Sequence, residues 1–186
     1  MRSAVKLVFL VLFATSCVSM MSADVLNIQN GTFANCSGSC TGWTFTPAAA
    51  GSDFFFDGNG NAAFGGVAAG YYDQISQVVS TTSGTSYTLG FDLSNDGAGP
   101  GLADFQVTWD NNVVLDVGPS AFGTTPFSVT GLTGTGSDTL GFQAYQVPAY
   151  YYLSNVGAAT VPEPSMLAML IPALGFAGLL RRKLAK

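Results

Sequence analysis

The sequence predicts an all-β domain, an antiparallel β-sandwich of the jelly-roll kind, with one apolar helical segment at each end of the chain. Three observations lead to this fold class. Several segments alternate apolar and polar residues with a period of two, which is typical of half-buried strands. Turn-forming residues separate these segments at short intervals, and residues 24–160 show no helical periodicity. Many short strands at such spacing favour a sandwich or jelly roll.

The clearest predicted strand is SYTLGFDLS, residues 86–94. One face of this strand is apolar and is formed by Tyr87, Leu89, Phe91 and Leu93. The segment DFQVTWD, residues 104–110, repeats the alternation. Asp110, Asn111 and Asn112 follow, and because Asn and Asp tolerate left-handed backbone they predict a tight hairpin into residues 113–117. Further strands are predicted within residues 126–130, 139–146 and 150–156.

The N-terminal segment, residues 1–23, has the layout of a secretory signal peptide. Arg2 and Lys6 precede an apolar run over residues 7–14, and small residues follow as far as Ala23. This order of charge, apolar run and small residues predicts a signal helix that is cleaved near Ala23. A lipoprotein signal that ends at Cys17 is the alternative.

The C-terminal segment, residues 161–186, predicts a short membrane anchor. Met166–Leu180 is apolar throughout and would rise about 22 Å as a helix. A bilayer core is about 30 Å thick, so this transmembrane helix is a marginal span. Its basic end is expected on the cytoplasmic side of the inner membrane, with residues 24–160 outside. That basic end consists of Arg181, Arg182 and Lys183.

Directly before the anchor stand Pro162, Glu163 and Pro164. This tripeptide, the apolar run and the basic terminus together resemble a PEP-CTERM sorting signal, over roughly residues 161–186. The resemblance implies an exported bacterial protein whose tail is recognised by an exosortase. It further implies a precursor anchored in the inner membrane and a product at the cell surface or outside the cell, in bacteria that make exopolysaccharide.

The central domain, residues 24–160, is acidic throughout. No Lys, Arg or His occurs between Leu7 and Leu180, so all six basic residues of the chain lie in its two ends. A domain without cations cannot neutralise phosphates, which excludes nucleic acid as a partner. The absence of His also excludes a His-based catalytic triad or metal site. Ten aspartates occur there: Asp24, Asp53, Asp57, Asp73, Asp92, Asp96, Asp104, Asp110, Asp116 and Asp138.

Cys36 and Cys40 are the two cysteines left once the signal peptide is removed. In an exported chain they predict a local disulfide that closes a short loop. Two cysteines without further Cys or His make no zinc site.

A second resemblance covers roughly residues 24–160. The opening NGTF, the segments ISQVVSTTSGTSYTLGFDLSN and FQVTWDNNVV, and the closing YYYLSNVGAA are similar to jelly-roll modules related to carbohydrate-binding modules. Those modules often hold a structural calcium through acidic residues after the opening motif and in the last strand. Here Ala34 and Ser154-Asn155 take those places, so no cofactor is predicted and structural calcium is only the alternative.

Sugar binding needs exposed aromatic faces beside amide and carboxylate groups. The predicted ligand-binding residues are Tyr71, Tyr72, Asp92, Asp110, Tyr145, Tyr150 and Tyr152. Tyr151 and Gln143 are further candidates, although adjacent tyrosines are also ordinary strand formers that lie half in a core. Trp43 and Trp109 are predicted to be core residues.

The oxygen-rich loop SDFFFDGNGN, residues 52–61, is read as a solvated turn, with calcium as the alternative. No catalytic residue is predicted, and the chain is not expected to be an enzyme. The resulting hypothesis is an exported surface or extracellular-matrix protein with a structural or weak carbohydrate-binding role. A ligand-free matrix component is the alternative, and a glycoside hydrolase is less favoured.

Overall fold

A computed structural model describes residues 25–66 and 68–161 of the 186-residue chain. Residues Val25–Thr160 form one compact unit, and this part of the chain contains eleven strands and no helix. The predicted signal peptide and the predicted anchor lie outside the described residues. Within the described ranges no helix is long and apolar enough to cross a membrane.

The strands form two antiparallel sheets. The six-stranded sheet has the order β3-β4-β11-β6-β9, and β1 pairs with the end of β11 that β4 leaves free. Its strands are β1 (Val25–Leu26), β3 (Phe55–Phe56), β4 (Ala62–Phe64), β6 (Ser86–Asn95), β9 (Phe122–Thr133) and β11 (Tyr151–Thr160). The five-stranded sheet has the order β2-β5-β10-β7-β8. Its strands are β2 (Thr44–Thr46), β5 (Asp73–Ser80), β7 (Ala103–Trp109), β8 (Asn112–Val117) and β10 (Ser137–Gln146).

The predicted alternation of β6 is confirmed. Tyr87, Leu89, Phe91 and Leu93 are all at least 97% buried, and the residues between them are half-exposed. The predicted β7–β8 hairpin is also confirmed, because Asp110 and Asn111 form its two-residue turn with φ of 50° and 63°. Left-handed backbone at both central residues is what a type I′ turn between twisted strands requires. The all-β sandwich fold class is therefore correct.

Aromatic rings fill the space between the sheets. The Phe105 ring is fully buried and lies 5.5 Å from Tyr151, 5.9 Å from Phe64 and 6.1 Å from both Phe91 and Phe142, centroid to centroid. These rings come from strands of both sheets, so Phe105 joins the two layers. Burial of each of these rings is worth about 1.5–3 kcal/mol, so the cluster contributes substantially to the stability of the domain.

Both tryptophans lie in the core, as predicted. Trp43 and Trp109 are 8% and 7% exposed. Each indole N–H donates to a backbone carbonyl, Trp43 to Gln29 at 2.9 Å and Trp109 to Thr133 at 3.2 Å. The buried rings therefore keep their polar atom satisfied.

The N-terminal part of the domain is held to the sandwich by a few specific contacts. A disulfide joins Cys36 to Cys40, and both residues are buried. The opening loop docks on an irregularity in β11, where the Val156 N–H donates to the Gly31 carbonyl at 2.8 Å. A Cβ on Gly31 would lie 2.0 Å from the Val156 oxygen, so only glycine allows this approach. The opening Asn-Gly-Thr-Phe is thus a docking element of the fold.

Candidate functional site

A row of polar side chains crosses the outer face of the five-stranded sheet. Strand register places Thr46 beside Gln74, Gln74 beside Gln143, Gln143 beside Gln106 and Gln106 beside Asp116. The residues between them on each strand point inward, as Ile75, Phe142 and Phe105 do. The core thereby fixes which side of the sheet these amides face.

Two amides of the row are locked by hydrogen bonds. The Gln143 Nε2 donates to Gln106 Oε1 at 2.7 Å. The Gln106 Nε2 points the other way and lies 3.0 Å from Asp104 Oδ2 and 3.4 Å from Asp116 Oδ2. Because an amide donates at nitrogen and accepts at oxygen, each partner fixes the orientation of the next.

Two tyrosine rings lie along one side of the row. The Tyr72 and Tyr145 rings are 5.0 Å apart and meet edge to face at 77°. The Tyr72 hydroxyl donates to Asp104 Oδ2 at 2.5 Å. Tyr145 is 8% exposed and supports Tyr72, which is half-exposed and is the ring that a ligand would reach. The outer surface formed by these two groups is called the glutamine face, and its residues are Tyr72, Gln74, Asp104, Gln106, Asp116, Gln143 and Tyr145.

The electrostatics of the glutamine face follow from burial and like charge. Burial raises the pKa of Asp104, and the neighbouring Asp116 carboxylate raises it further, whereas the bonds from Tyr72 and Gln106 oppose the shift. Burial and the bond to Asp104 raise the pKa of Tyr72 as well, so its phenol stays protonated and remains a donor. The surface thus offers hydroxyl, amide and carboxylate groups, which suit a hydroxyl-rich ligand.

The other predicted binding residues lie elsewhere. Asp110 sits in the β7–β8 turn, where its carboxylate accepts from the Thr139 N–H at 2.8 Å and ties the hairpin to β10. Asp92 lies on the outer face of the six-stranded sheet and accepts from Asn155 Nδ2 at 2.7 Å. Tyr71 is 48% exposed and precedes Tyr72 at the start of β5.

The three consecutive tyrosines before and in β11 are divided between the two sides of the sheet. Tyr151 is fully buried in the core. Tyr150 and Tyr152 lie on the outer side, with ring centroids 6.0 Å apart. Tyr152 belongs to the six-stranded sheet, Tyr150 directly precedes its strand β11, and Tyr72 lies beside the five-stranded sheet. The tyrosine candidates therefore do not line one common face.

The oxygen-rich loop at residues 52–61 is closed by its own hydrogen bonds. The Asp57 carboxylate accepts from the Asn59 N–H at 2.7 Å, the Asn61 N–H at 3.0 Å and the Asn61 Nδ2 at 2.7 Å. Burial alone would raise the pKa of Asp57, but these bonds together outweigh it and the pKa is lowered. Its oxygens are used to hold the turn. In the described part of the chain no three Asp, Glu, Cys or His side chains gather as metal ligands.

Four residues of the glutamine face were not singled out from the sequence: Gln74, Asp104, Gln106 and Asp116. Alternation predicts that Gln106 points outward, yet period two says nothing about which strands are neighbours. The order β5-β10-β7-β8 brings together residues up to 69 positions apart, from Gln74 to Gln143. The available signal was the recurrence of outward Gln and Asp on several predicted strands.

Solved structures with a similar fold include carbohydrate-binding modules and adhesin domains. TmCBM61 in complex with β-1,4-galactotriose has a TM-score of 0.53 and 11% identity, over 72% of this chain and 97% of that one. A cleaved adhesin domain of Lys-gingipain from Porphyromonas gingivalis has a TM-score of 0.54 and 12% identity, over 74% and 99%. The enzymatically active domain of tailspike protein 4 from bacteriophage CBA120 has a TM-score of 0.51 and 14% identity. The alignment covers 73% of this chain but only 21% of that structure. At such identities the likeness is one of fold.

No curated protein sequence matches the chain. The PEP-CTERM protein-sorting motif, in contrast, matches residues 160–183, which contain the Pro-Glu-Pro tripeptide, the apolar run and the basic end. The chain therefore carries a PEP-CTERM protein-sorting motif behind a domain with the β-sandwich fold seen in carbohydrate-binding modules.

Proposed function

We propose that the domain is a non-catalytic module that binds an uncharged polysaccharide at the glutamine face. The PEP-CTERM motif implies an exported protein with a membrane-anchored precursor. The proposal adds that exosortase removes the tail and that the product acts at the cell surface or in the extracellular matrix, in contact with exopolysaccharide.

The observation that supports this function most strongly is the row Gln74, Gln143, Gln106 and Asp116 beside the half-exposed ring of Tyr72. Sugars present hydroxyl groups at their edges and apolar C–H groups on their faces. Amides and carboxylates bond to the hydroxyls, and a ring beside them packs against the C–H face. Because Gln143 and Gln106 are pre-oriented, binding orders few side chains.

An uncharged ligand is favoured because the domain has no cation. The row contains the carboxylate of Asp116 and lies beside that of Asp104, and residues 25–161 contain no Lys, Arg or His. An acidic polymer would meet like charge without any ion pair in compensation.

A catalytic role is not favoured by the bonding of Asp104. This carboxylate accepts hydrogen bonds from both Tyr72 and Gln106 on one oxygen, and the Gln143 amide holds Gln106 in place. The arrangement fixes a binding surface. A hydrolase would need one carboxyl group free to act as acid and a second as nucleophile or base.

Affinity electrophoresis of the full-length protein in detergent tests the proposal, with gels containing galactan, glucan, mannan, xylan or alginate. We expect retardation by at least one uncharged polymer and none by alginate. Gln106→Ala should lower the affinity about tenfold, since it removes an amide that can bond to a sugar hydroxyl and that orders the two carboxylates, a loss of about 1.4 kcal/mol. The matched control is Val78→Ala, at a 69% exposed position of β5. Release of reducing ends from the retarding polymer would instead indicate a hydrolase.

A further inference from the structure

We propose a second carbohydrate site on the outer face of the six-stranded sheet, formed by Phe55, Tyr150 and Tyr152, which makes one domain a bridge between two polysaccharide chains. The second site stands on its own geometry. The bridging role also rests on the proposed function of the glutamine face.

Strand register places two of the three rings, Phe55 and Tyr152, in one row. Phe55 of β3 pairs with Ala63 of β4, Ala63 pairs with Tyr152 of β11, and Tyr152 pairs with Ser94 of β6. The neighbours Phe56, Ala62 and Tyr151 point into the core, so this row faces outward. Ala63 is fully buried between Phe55 and Tyr152, although it does not belong to the core.

The rings form one continuous surface. Tyr150 lies between the other two, with centroids 5.3 Å from Phe55 and 6.0 Å from Tyr152. Phe55 is 41% exposed, and both tyrosines are partly exposed. An exposed phenylalanine beside two tyrosines is an apolar surface that the fold does not need for its core.

The middle ring is held in a fixed orientation. The Tyr150 hydroxyl donates to Asp53 Oδ2 at 2.5 Å, a bond that raises the pKa of Tyr150 to about 12. A Cβ on Gly65 would lie 2.5 Å from Tyr150 Cε1, so the ring rests directly on the Gly65 backbone. A surface tyrosine without such contacts rotates freely, and ordering it on binding costs about 0.5–1.5 kcal/mol. In this domain Asp53 and Gly65 already hold Tyr150 in place, so binding does not carry that cost.

The chemistry around the rings selects a sugar as the occupant. Asp53 accepts from Tyr150. Burial raises the pKa of Tyr152, and the carboxylates of Asp96 and Asp57 are near enough to raise it further. Hydrogen-bond acceptors thus border an apolar patch of three rings, which fits the hydroxyl edge and C–H face of a sugar. A protein partner would normally require a patch of several hundred Å². The negative charge without any cation again disfavours an acidic polymer.

The two sites lie on opposite sheets. Packed sheets are about 10 Å apart, and the core between these two sheets is filled with side chains. A chain on one outer surface therefore leaves the other surface free. A domain that binds two chains at once cross-links a polysaccharide, and linked binding events strengthen one another through effective concentration.

The test uses the full-length protein in detergent and a panel of galactan, glucan, mannan, xylan and dextran. Oligosaccharides of each are titrated by calorimetry, and the polymers are mixed with the protein for light scattering. We expect two oligosaccharides per chain and growth of polymer aggregates. The double variant Phe55→Ser/Tyr152→Ser should bind one oligosaccharide and cause no aggregation, with an unchanged circular dichroism spectrum. Val25→Ser, at a 72% exposed position of β1 on the same sheet but outside the cluster, is the control and should behave as wild type.

Each outcome decides between the two proposals. One oligosaccharide per wild-type chain that is lost in Gln106→Ala overturns the second site and leaves the glutamine face. If the wild-type chain binds one oligosaccharide and only the double variant loses it, the second site is supported and the glutamine face is overturned. Binding of no polymer overturns both. If light scattering grows without polysaccharide and the double variant abolishes this growth, the occupant is a second copy of the protein. That result overturns the sugar site.

Discussion

Gln143 Nε2 donates to Gln106 Oε1 across neighbouring strands at 2.7 Å, and this bond decides which way the Gln106 amide faces. With its oxygen occupied by Gln143, Gln106 turns its nitrogen toward Asp104 and Asp116. The glutamine on β10 therefore positions a donor between two carboxylates on β7 and β8. The glutamine face has one defined hydrogen-bond pattern because of this pair.

Removing the donor from the Gln143–Gln106 hydrogen bond should weaken polysaccharide binding with little effect on folding. A Gln143→Glu side chain has the same shape, but its carboxylate cannot donate to Gln106 Oε1. The Gln106 amide should then turn its nitrogen toward Glu and its oxygen toward the aspartates. We expect about a tenfold loss of affinity, measured by affinity electrophoresis. Ser76→Glu, which adds the same charge on the outer side of β5 outside the glutamine face, is the control, and an equal loss in both would show that charge alone is responsible.

Polysaccharide binding should weaken in acid at a pH above the usual range for aspartate. The raised pKa of Asp104 means that it takes up a proton while ordinary carboxyls near 3.8 are still ionised. A protonated Asp104 accepts poorly from both Tyr72 and Gln106. Affinity measured between pH 7 and pH 4 should therefore fall with a midpoint above 3.8. In Asp104→Asn the affinity should be lower throughout and nearly independent of pH, and an unchanged titration would contradict the role of Asp104.

Asp138 should stabilise the fold at neutral pH. It is 1% exposed, and it accepts from the Thr135 N–H and hydroxyl, both at 2.9 Å, and from the Thr81 hydroxyl. Burial acts to raise its pKa, but these bonds outweigh burial and the pKa is lowered. A lowered pKa gives stability that is present above the unfolded value near 3.8 and is lost as the pH falls through the folded value.

We therefore expect Asp138→Asn to lose about 1.5–3 kcal/mol of unfolding free energy at pH 7, measured by urea denaturation. The difference from wild type should shrink below pH 3.8. Asp116→Asn, at an exposed position of β8, serves as the control. An equal cost at pH 7 and pH 3 would show that the side-chain shape, and not its charge, matters.

Truncation at the centre of the aromatic core should be severe. Phe105→Ala removes a fully buried ring that lies near four others, and large-to-small changes of this kind cost about 3–5 kcal/mol. Val78→Ala, on the solvent side of β5, should cost less than about 0.5 kcal/mol. Urea midpoints measure both. Similar midpoints for the two variants would place the core elsewhere.

The tail should be processed only where an exosortase is present. The sequence predicts an extended Pro-Glu-Pro, because each proline fixes φ and disfavours helix in the residue before it. Intact mass of the protein from an exosortase-bearing host should lack Arg181 to Lys186, and protein from a host without the enzyme should keep them. Glu163→Ala leaves the apolar run and basic end unchanged, so it should insert normally and remain unprocessed. A mature protein that retains its basic end would make the segment an ordinary anchor.

The sequence by itself determined the fold class, the sorting motif and the six strands from β6 to β11, whereas the strands β1 to β5 were not predicted. Alternation of Tyr87, Leu89, Phe91 and Leu93 predicts β6 because successive side chains of a strand point to opposite sides, which is a local property. The Asp110-Asn111 turn is local too, since it depends on which residues accept left-handed backbone. The PEP-CTERM tail is a contiguous stretch and needs no fold to be recognised.

Only the tertiary structure decided which polar and aromatic residues meet. Gln74, Gln143, Gln106 and Asp116 become one row because β10 lies between β5 and β7, and strand order depends on long-range packing. The same packing divides the tyrosine run, sending Tyr151 inward to Phe105 and leaving Tyr150 to rest on Gly65. Local alternation predicts which residues of one strand face the same way. Packing of the core determines which strands lie side by side, and hence which side chains share a surface.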